Sequence, residues 1–106
     1  DYYADKGAFP RAQGFYRRVV ESSPDNIWGC LRMGELGIVM KDDDAALEGF
    51  HGAAEALPSY YGSWKELAMI YNKRYDRTSA RQYAAMAMER YPHNADMARL
   101  IKKIDG

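Results

Sequence analysis

Three residue types recur along this chain at a single spacing. Pro24, Pro58 and Pro92 lie 34 residues apart, as do Ala12, Ala46 and Ala80, and as do Glu21, Glu55 and Glu89. Such a period means that one small supersecondary unit is repeated, and that each copy needs its neighbours to bury its apolar face. Weaker echoes sit in the same frame. Val19, Ala53 and Ala87 share a small position, Tyr16 and Phe50 an aromatic one that Ala84 leaves, and Met33, Leu67 and Ile101 an apolar one.

Each period reads as two helices. Trp28, Leu31, Met33, Leu36 and Met40 recur at helical spacing, as do Trp64, Leu67, Ala68 and Tyr71. A second helix is expected over about 9–22, 43–56 and 77–90, and a last one over about 95–104. Asp42, Asp43 and Asp44 crowd the start of one of these, where carboxylates accept free N–H groups and oppose the positive helix end. Pro24, Pro58 and Pro92 are expected just past helix ends, since a residue without an N–H cannot continue the helix. Asp25-Asn26, Ser59 and His93-Asn94 are the expected caps of the helices that follow. Ala46, Ala80 and Gly34 are small enough to let neighbouring helices approach closely.

With these residues in place, the pattern resembles the tetratricopeptide repeat. That family has a 34-residue helix–turn–helix unit with Trp, Leu-Gly and Tyr on its first helix, then Ala, an aromatic, Ala and a closing Pro. Trp64, Leu67, Ala68, Tyr71, Ala80, Ala87 and Pro92 fit in order. So do Met33, Gly34, Ala46, Phe50, Ala53 and Pro58, and so do Tyr3, Gly7, Ala12, Tyr16 and Pro24. The resemblance implies an all-α, right-handed solenoid of helical hairpins. Its expected parts are a partial repeat over 1–26, repeats over 27–60 and 61–94, and a capping helix over 95–106. A first helix too short to open a domain, starting at Asp1, suggests a piece of a longer protein.

Composition restricts function further. The 106 residues carry 15 basic and 15 acidic side chains, so nothing draws the chain in bulk to nucleic acid or an anionic lipid surface. No apolar run approaches the roughly 20 residues of a membrane span. One cysteine excludes an internal disulfide framework. Cys30 falls at the repeat position of Trp64 and Ala98, which is expected to pack inward, so a buried small hydrophobe is expected rather than a nucleophile. His51 and His93 have no metal-ligand spacing, and the aspartate run lacks the alternating oxygens, glycine turn and distal Glu of a calcium loop. No catalytic residue, metal or cofactor is therefore expected, and the chain reads as a non-enzyme.

The resemblance places first helices along a concave groove. Projecting them gives Trp28, Leu31, Glu35, Ile38 and Val39, then Lys65, Met69, Asn72 and Lys73, with Arg99 and Lys103 continuing on the last helix and Asp1, Ala4 and Asp5 opening the line. The expected partner is a peptide or protein held by Trp28, Leu31 and Met69 as apolar anchors, with Lys65, Lys73 and Arg99 orienting an acidic stretch. Charge is uneven: residues 27–60 carry two basic and six acidic side chains, residues 61–94 six basic and three acidic. Some family members hold a C-terminal carboxylate in a clamp of Lys, Asn and Arg. The matching positions here are Asp1, Arg32, Gly62 and Glu66. An RNA-reading relative with a repeat of about 35 residues is disfavoured by the period and by the lack of a continuous basic stripe. The alternatives are self-assembly through an open first-repeat edge around Tyr2, Tyr3, Phe15 and Tyr16, or an accessory domain of a larger enzyme or secretion component.

Overall fold

The computed structural model describes residues 5–106, with only the helical backbone for 5–8. Six helices follow one another: α1 (Asp5–Ser22), α2 (Ile27–Val39), α3 (Asp43–Ala56), α4 (Tyr61–Lys73), α5 (Arg77–Arg90) and α6 (Ala95–Asp105). The chain divides into two compact units, Asp1–Leu57 with α1–α3 and Pro58–Gly106 with α4–α6. No strand occurs among the described residues.

The 34-residue period is visible in the backbone. Pro24, Pro58 and Pro92 each stand two residues beyond a helix end. Asn26 and Asn94 are N-caps whose side chains accept the N–H of Gly29 and Met97, and Asp42 and Asp76 cap α3 and α5 by accepting from Ala45 and Ser79. That hydrogen bond holds the Asp76 carboxyl below the usual carboxylate range. Ser59 does not cap α4. Tyr60 takes the N-cap position with no side-chain bond, because it lies in register with Asn26 and Asn94 and Ser59 falls one residue short. The early chain also differs from expectation. The helix expected over about 9–22 begins earlier: α1 runs unbroken from Asp5, takes in Gly7, matched to a first-helix position of the repeat, and carries Pro10 inside it. Tyr3, at the other expected first-helix position, lies outside the described residues.

Both turns inside the hairpins use the same device. The N–H of Asp42 reaches the Gly37 carbonyl (2.8 Å) and that of Lys41 reaches Ile38 (3.1 Å). Asp76 to Tyr71 (2.9 Å) and Tyr75 to Asn72 (3.0 Å) repeat it. This is a Schellman motif, whose pivotal residue must be left-handed and is most often glycine. Here the pivots are Lys41 (φ 59°) and Tyr75 (φ 64°). Tyr75 is 89% exposed, so its side chain repays none of this strain by burial. Tyr75→Gly is therefore expected to raise unfolding stability by about 1 kcal/mol in urea melts. A loss of stability would show that the Tyr75 ring makes contacts that matter.

Packing within each unit explains the small residues. In unit one, a Cβ added to Gly49 would lie 2.3 Å from the Gly34 nitrogen, and one on Gly37 would lie 2.4 Å from the Ala46 nitrogen. Thus α2 and α3 touch backbone to backbone, and the Phe50 ring, 2% exposed, covers Gly34. Arg17 of α1 forks onto Glu48 of α3 (2.9 and 3.1 Å), and Gln13 donates to Asp42 (3.3 Å). In unit two the hairpin is held by rings instead. Tyr83 of α5 stacks between Trp64 and Tyr71 of α4, with centroids 6.0 and 5.4 Å away. Ala68, Ala84, Ala87 and Met97 form the buried centre beside them.

Candidate functional site

Cys30 and Trp64, equivalent in the repeat, both turn back to a proline carbonyl. The Cys30 thiol lies 3.6 Å from the Pro24 oxygen, and the Trp64 indole N–H donates to that of Pro58 at 2.8 Å. The inward orientation expected for this position therefore holds for Cys30, which is fully buried, but not for Ala98, which is exposed. Burial, then the nearby Asp25 and Glu55 charges, pushes the Cys30 thiol up, so it stays protonated. Half-burial lowers the His51 imidazole, with Glu55 pulling the other way, and His93 is exposed in its turn. Among the described residues no group of His, Cys, Asp and Glu is arranged to hold a metal, and no helix is long and apolar enough to cross a membrane.

The concavities carry the interest. In unit one a cavity of about 570 Å³ opens between α1 and α2. Phe9, Ala12 and Tyr16 line it from α1, and Trp28, Leu36 and Val39 from α2. Trp28, 47% exposed, meets Tyr16 edge to face at 5.1 Å. Arg32 and Glu35 close the rim as an ion pair of 2.7 Å, one helical turn apart. In unit two a cavity of about 510 Å³ lies between α4 and α6. Met69 and Asn72 reach it from α4, and Met97 and Leu100 form its apolar floor. Arg99 and Lys103 stand at the rim with Asp96, which pairs with Arg99. Lys103 has no ion-pair partner among the described residues, so its charge is available at the mouth.

Of the residues projected from the sequence, Trp28, Glu35 and Val39 share the first cavity, and Met69, Asn72, Arg99 and Lys103 share the second. Leu31, Ile38, Lys65 and Lys73 line neither. Ile38 and Lys73 are exposed, Leu31 and Lys65 half-buried. Asp1 and Ala4 lie outside the described residues, as does the side chain of Asp5. The projection missed Phe9, Ala12, Tyr16, Arg32 and Leu36 in the first cavity and Asp96, Met97 and Leu100 in the second. A signal existed for α6: positions 96, 99, 100 and 103 share one helical stripe at spacings of three and four.

Hairpins of two antiparallel helices, repeated at 34 residues with closing prolines and a terminal amphipathic helix, define a class of protein. The chain has the tetratricopeptide-repeat fold. Solved structures agree. "Crystal structure of MamA" superimposes with a TM-score of 0.82 at 17% identity over 98% of this chain, and "MamA MSR-1 C2" with 0.76 at 22% over 96%. This chain spans about three-fifths of each, 61% and 59% of their lengths. The first tetratricopeptide domain of Spaghetti (RPAP3), bound to the HSP90 peptide SRMEEVD, superimposes with a TM-score of 0.78 at 16% identity, covering 98% of this chain and 82% of that one. No family model and no curated protein sequence matches the chain.

Proposed function

We propose that this chain is a non-catalytic interaction module that binds a peptide or protein segment along its first helices, as one array of a partial repeat over 1–26, repeats over 27–60 and 61–94, and a capping helix over 95–106. The observation that carries the reading is the α4–α6 cavity, where Met69 and Asn72 face Arg99 and Lys103 above an apolar floor. A methionine edge suits an aliphatic or aromatic anchor, because thioethers adapt to irregular shapes. The Asn72 amide suits an extended backbone, offering both a donor and an acceptor. Lys103 and Arg99 favour a carboxylate beside the anchor. Trp28 and Glu35, with the Arg32 pair, offer a second seat on the other unit.

The RPAP3 neighbour holds a peptide with three acidic residues and supports the general mode. Arg32, Gly62 and Glu66 stand at the positions of the terminal-carboxylate clamp, so an internal acidic-apolar segment is the better candidate here than a free C-terminus. A peptide array of acidic seven- to ten-residue segments bearing one Leu, Met or Phe tests this. Binders are expected to lose about tenfold in affinity on Met69→Ala and again on Lys103→Glu, each near the 1.4 kcal/mol that one factor of ten represents. Binders indifferent to both changes, or an array without binders, would sink the reading.

A further inference from the structure

Six methionines lie along the chain, and burial separates one of them from the rest. Met33 and Met97 are closed to solvent, at 0% and 1% exposure, and Met40, Met86 and Met88 are half-buried. Met69 is open, at 49%. It stands on α4 at the edge of the α4–α6 cavity, above the floor of Met97 and Leu100. A thioether has no proton to lose, so access rather than ionisation sets how fast it meets a peroxide.

The neighbours of Met69 bear on the product. Asn72, one turn further along α4, lines the same cavity, and its amide carries two N–H donors. Lys103 stands at the mouth on α6 with three more, while Arg99 is engaged by Asp96. A thioether sulfur is a weak acceptor for such donors, whereas a sulfoxide oxygen is a strong one. Oxidation would therefore change one side chain in two ways. It replaces a flexible apolar edge by a polar group. It also gives the donors that would meet a partner's backbone and carboxylate an acceptor within the chain.

We propose that Met69 is a methionine-oxidation site, and that its sulfoxide, held by Asn72 and Lys103, closes the α4–α6 cavity to an apolar anchor. The oxidant is hydrogen peroxide or an organic hydroperoxide. The sulfur lone pair attacks one peroxide oxygen, the O–O bond breaks and an S–O bond forms. The proton on the transferred oxygen goes to the departing hydroxide, which leaves as water (as an alcohol from a hydroperoxide). Sulfur is oxidised by two electrons and the peroxide is reduced by two. Sulfoxide reductases, one for each epimer at sulfur, reverse the change. The effect on a bound segment rests on the function proposed above; the site of oxidation does not.

The full chain is treated with hydrogen peroxide, and each methionine is followed by peptide mass spectrometry. Met69 is expected to gain oxygen about tenfold faster than Met33 and Met97, which react only when the chain opens locally, and ahead of Met40, Met86 and Met88. Met69→Leu should remove this first phase with helicity by circular dichroism unchanged. A second measurement also needs no partner. The side-chain amide signal of Asn72 in magnetic resonance spectra should move on oxidation and return with the two reductases. Another methionine oxidised first, or an Asn72 amide unmoved by the Met69 sulfoxide, would overturn the proposal. Segments selected on the peptide array should bind the oxidised chain about tenfold more weakly, and peroxide should not weaken their binding to Met69→Leu. A segment that is lost with Met69→Ala yet ignores oxidation would overturn the proposal and leave the proposed function standing. An array without binders would sink that function alone, with the oxidation site decided by the first two measurements.

Discussion

Gly49→Ala is expected to destabilise the protein by about 2–3 kcal/mol in urea melts, although the same exchange usually strengthens a helix. The new Cβ would lie 2.3 Å from the Gly34 nitrogen and 2.7 Å from the Cys30 carbonyl oxygen. These are backbone atoms of α2, so no side chain can swing aside. Relief requires α2 and α3 to separate, and that uncovers Phe50, Ala46 and Ala53, each at most 2% exposed. The control is Gly14→Ala on α1, where an added Cβ meets nothing within 4 Å. That change should stabilise by about 0.5–1 kcal/mol, because alanine restricts the unfolded chain and favours the helix. If the two variants melt alike, the backbone contact between α2 and α3 is not the feature that fixes unit one.

Trp64→Ala is expected to cost about 3 kcal/mol, the low end for losing a large aromatic ring from a half-buried site. The ring does three things at once. Its N–H holds the Pro58 carbonyl at 2.8 Å, its face stacks on Tyr83, and its other contact is the Arg90 guanidinium 5.0 Å from the ring centroid. Arg90 itself donates to the same Pro58 carbonyl and to that of Met86, so the turn before α4 is tied from two sides. Trp64→Phe keeps a ring and loses the N–H, and should cost about 1 kcal/mol. Arg90→Met separates the remaining part. A Trp64→Phe variant as damaged as Trp64→Ala would mean that the hydrogen bond, not the stacking, carries the site.

The two units meet one structural demand in different ways. Unit one brings its hairpin helices together by omitting side chains at Gly34, Gly37 and Gly49. Unit two keeps them apart by the thickness of Tyr83 and fills the gap with Trp64 and Tyr71. The equivalent position on α1 holds Phe15, which is 49% exposed and meets Tyr16 edge to face. The two cavities follow the same logic, since each opens where a first-helix face meets a helix that does not cover it completely.

Local signals were legible without the structure. The spans 43–56 and 77–90 coincide with α3 and α5, because aspartate caps begin those helices and prolines two residues past their ends stop them, and both act within one turn of chain. Legibility failed where a local signal competed with the repeat register. Ser59 is the better cap by chemistry, yet Tyr60 holds the position. It failed also for the cavity-facing side of α2. The expected Trp28, Glu35 and Val39 line the cavity, but Arg32 and Leu36 take part where Leu31 and Ile38 were expected.

What the sequence determined by itself is therefore the repeat, the helices and most of their ends, the start of α1 and the cap of α4 excepted, because a 34-residue period, caps and prolines act through neighbouring residues. What only the tertiary structure decided is which side chains meet in a cavity, and that one hairpin closes on glycines and the other on stacked rings. That depends on how deeply each helix pair interpenetrates, set jointly by glycines and aromatics on different helices. No pattern along one helix contains that depth.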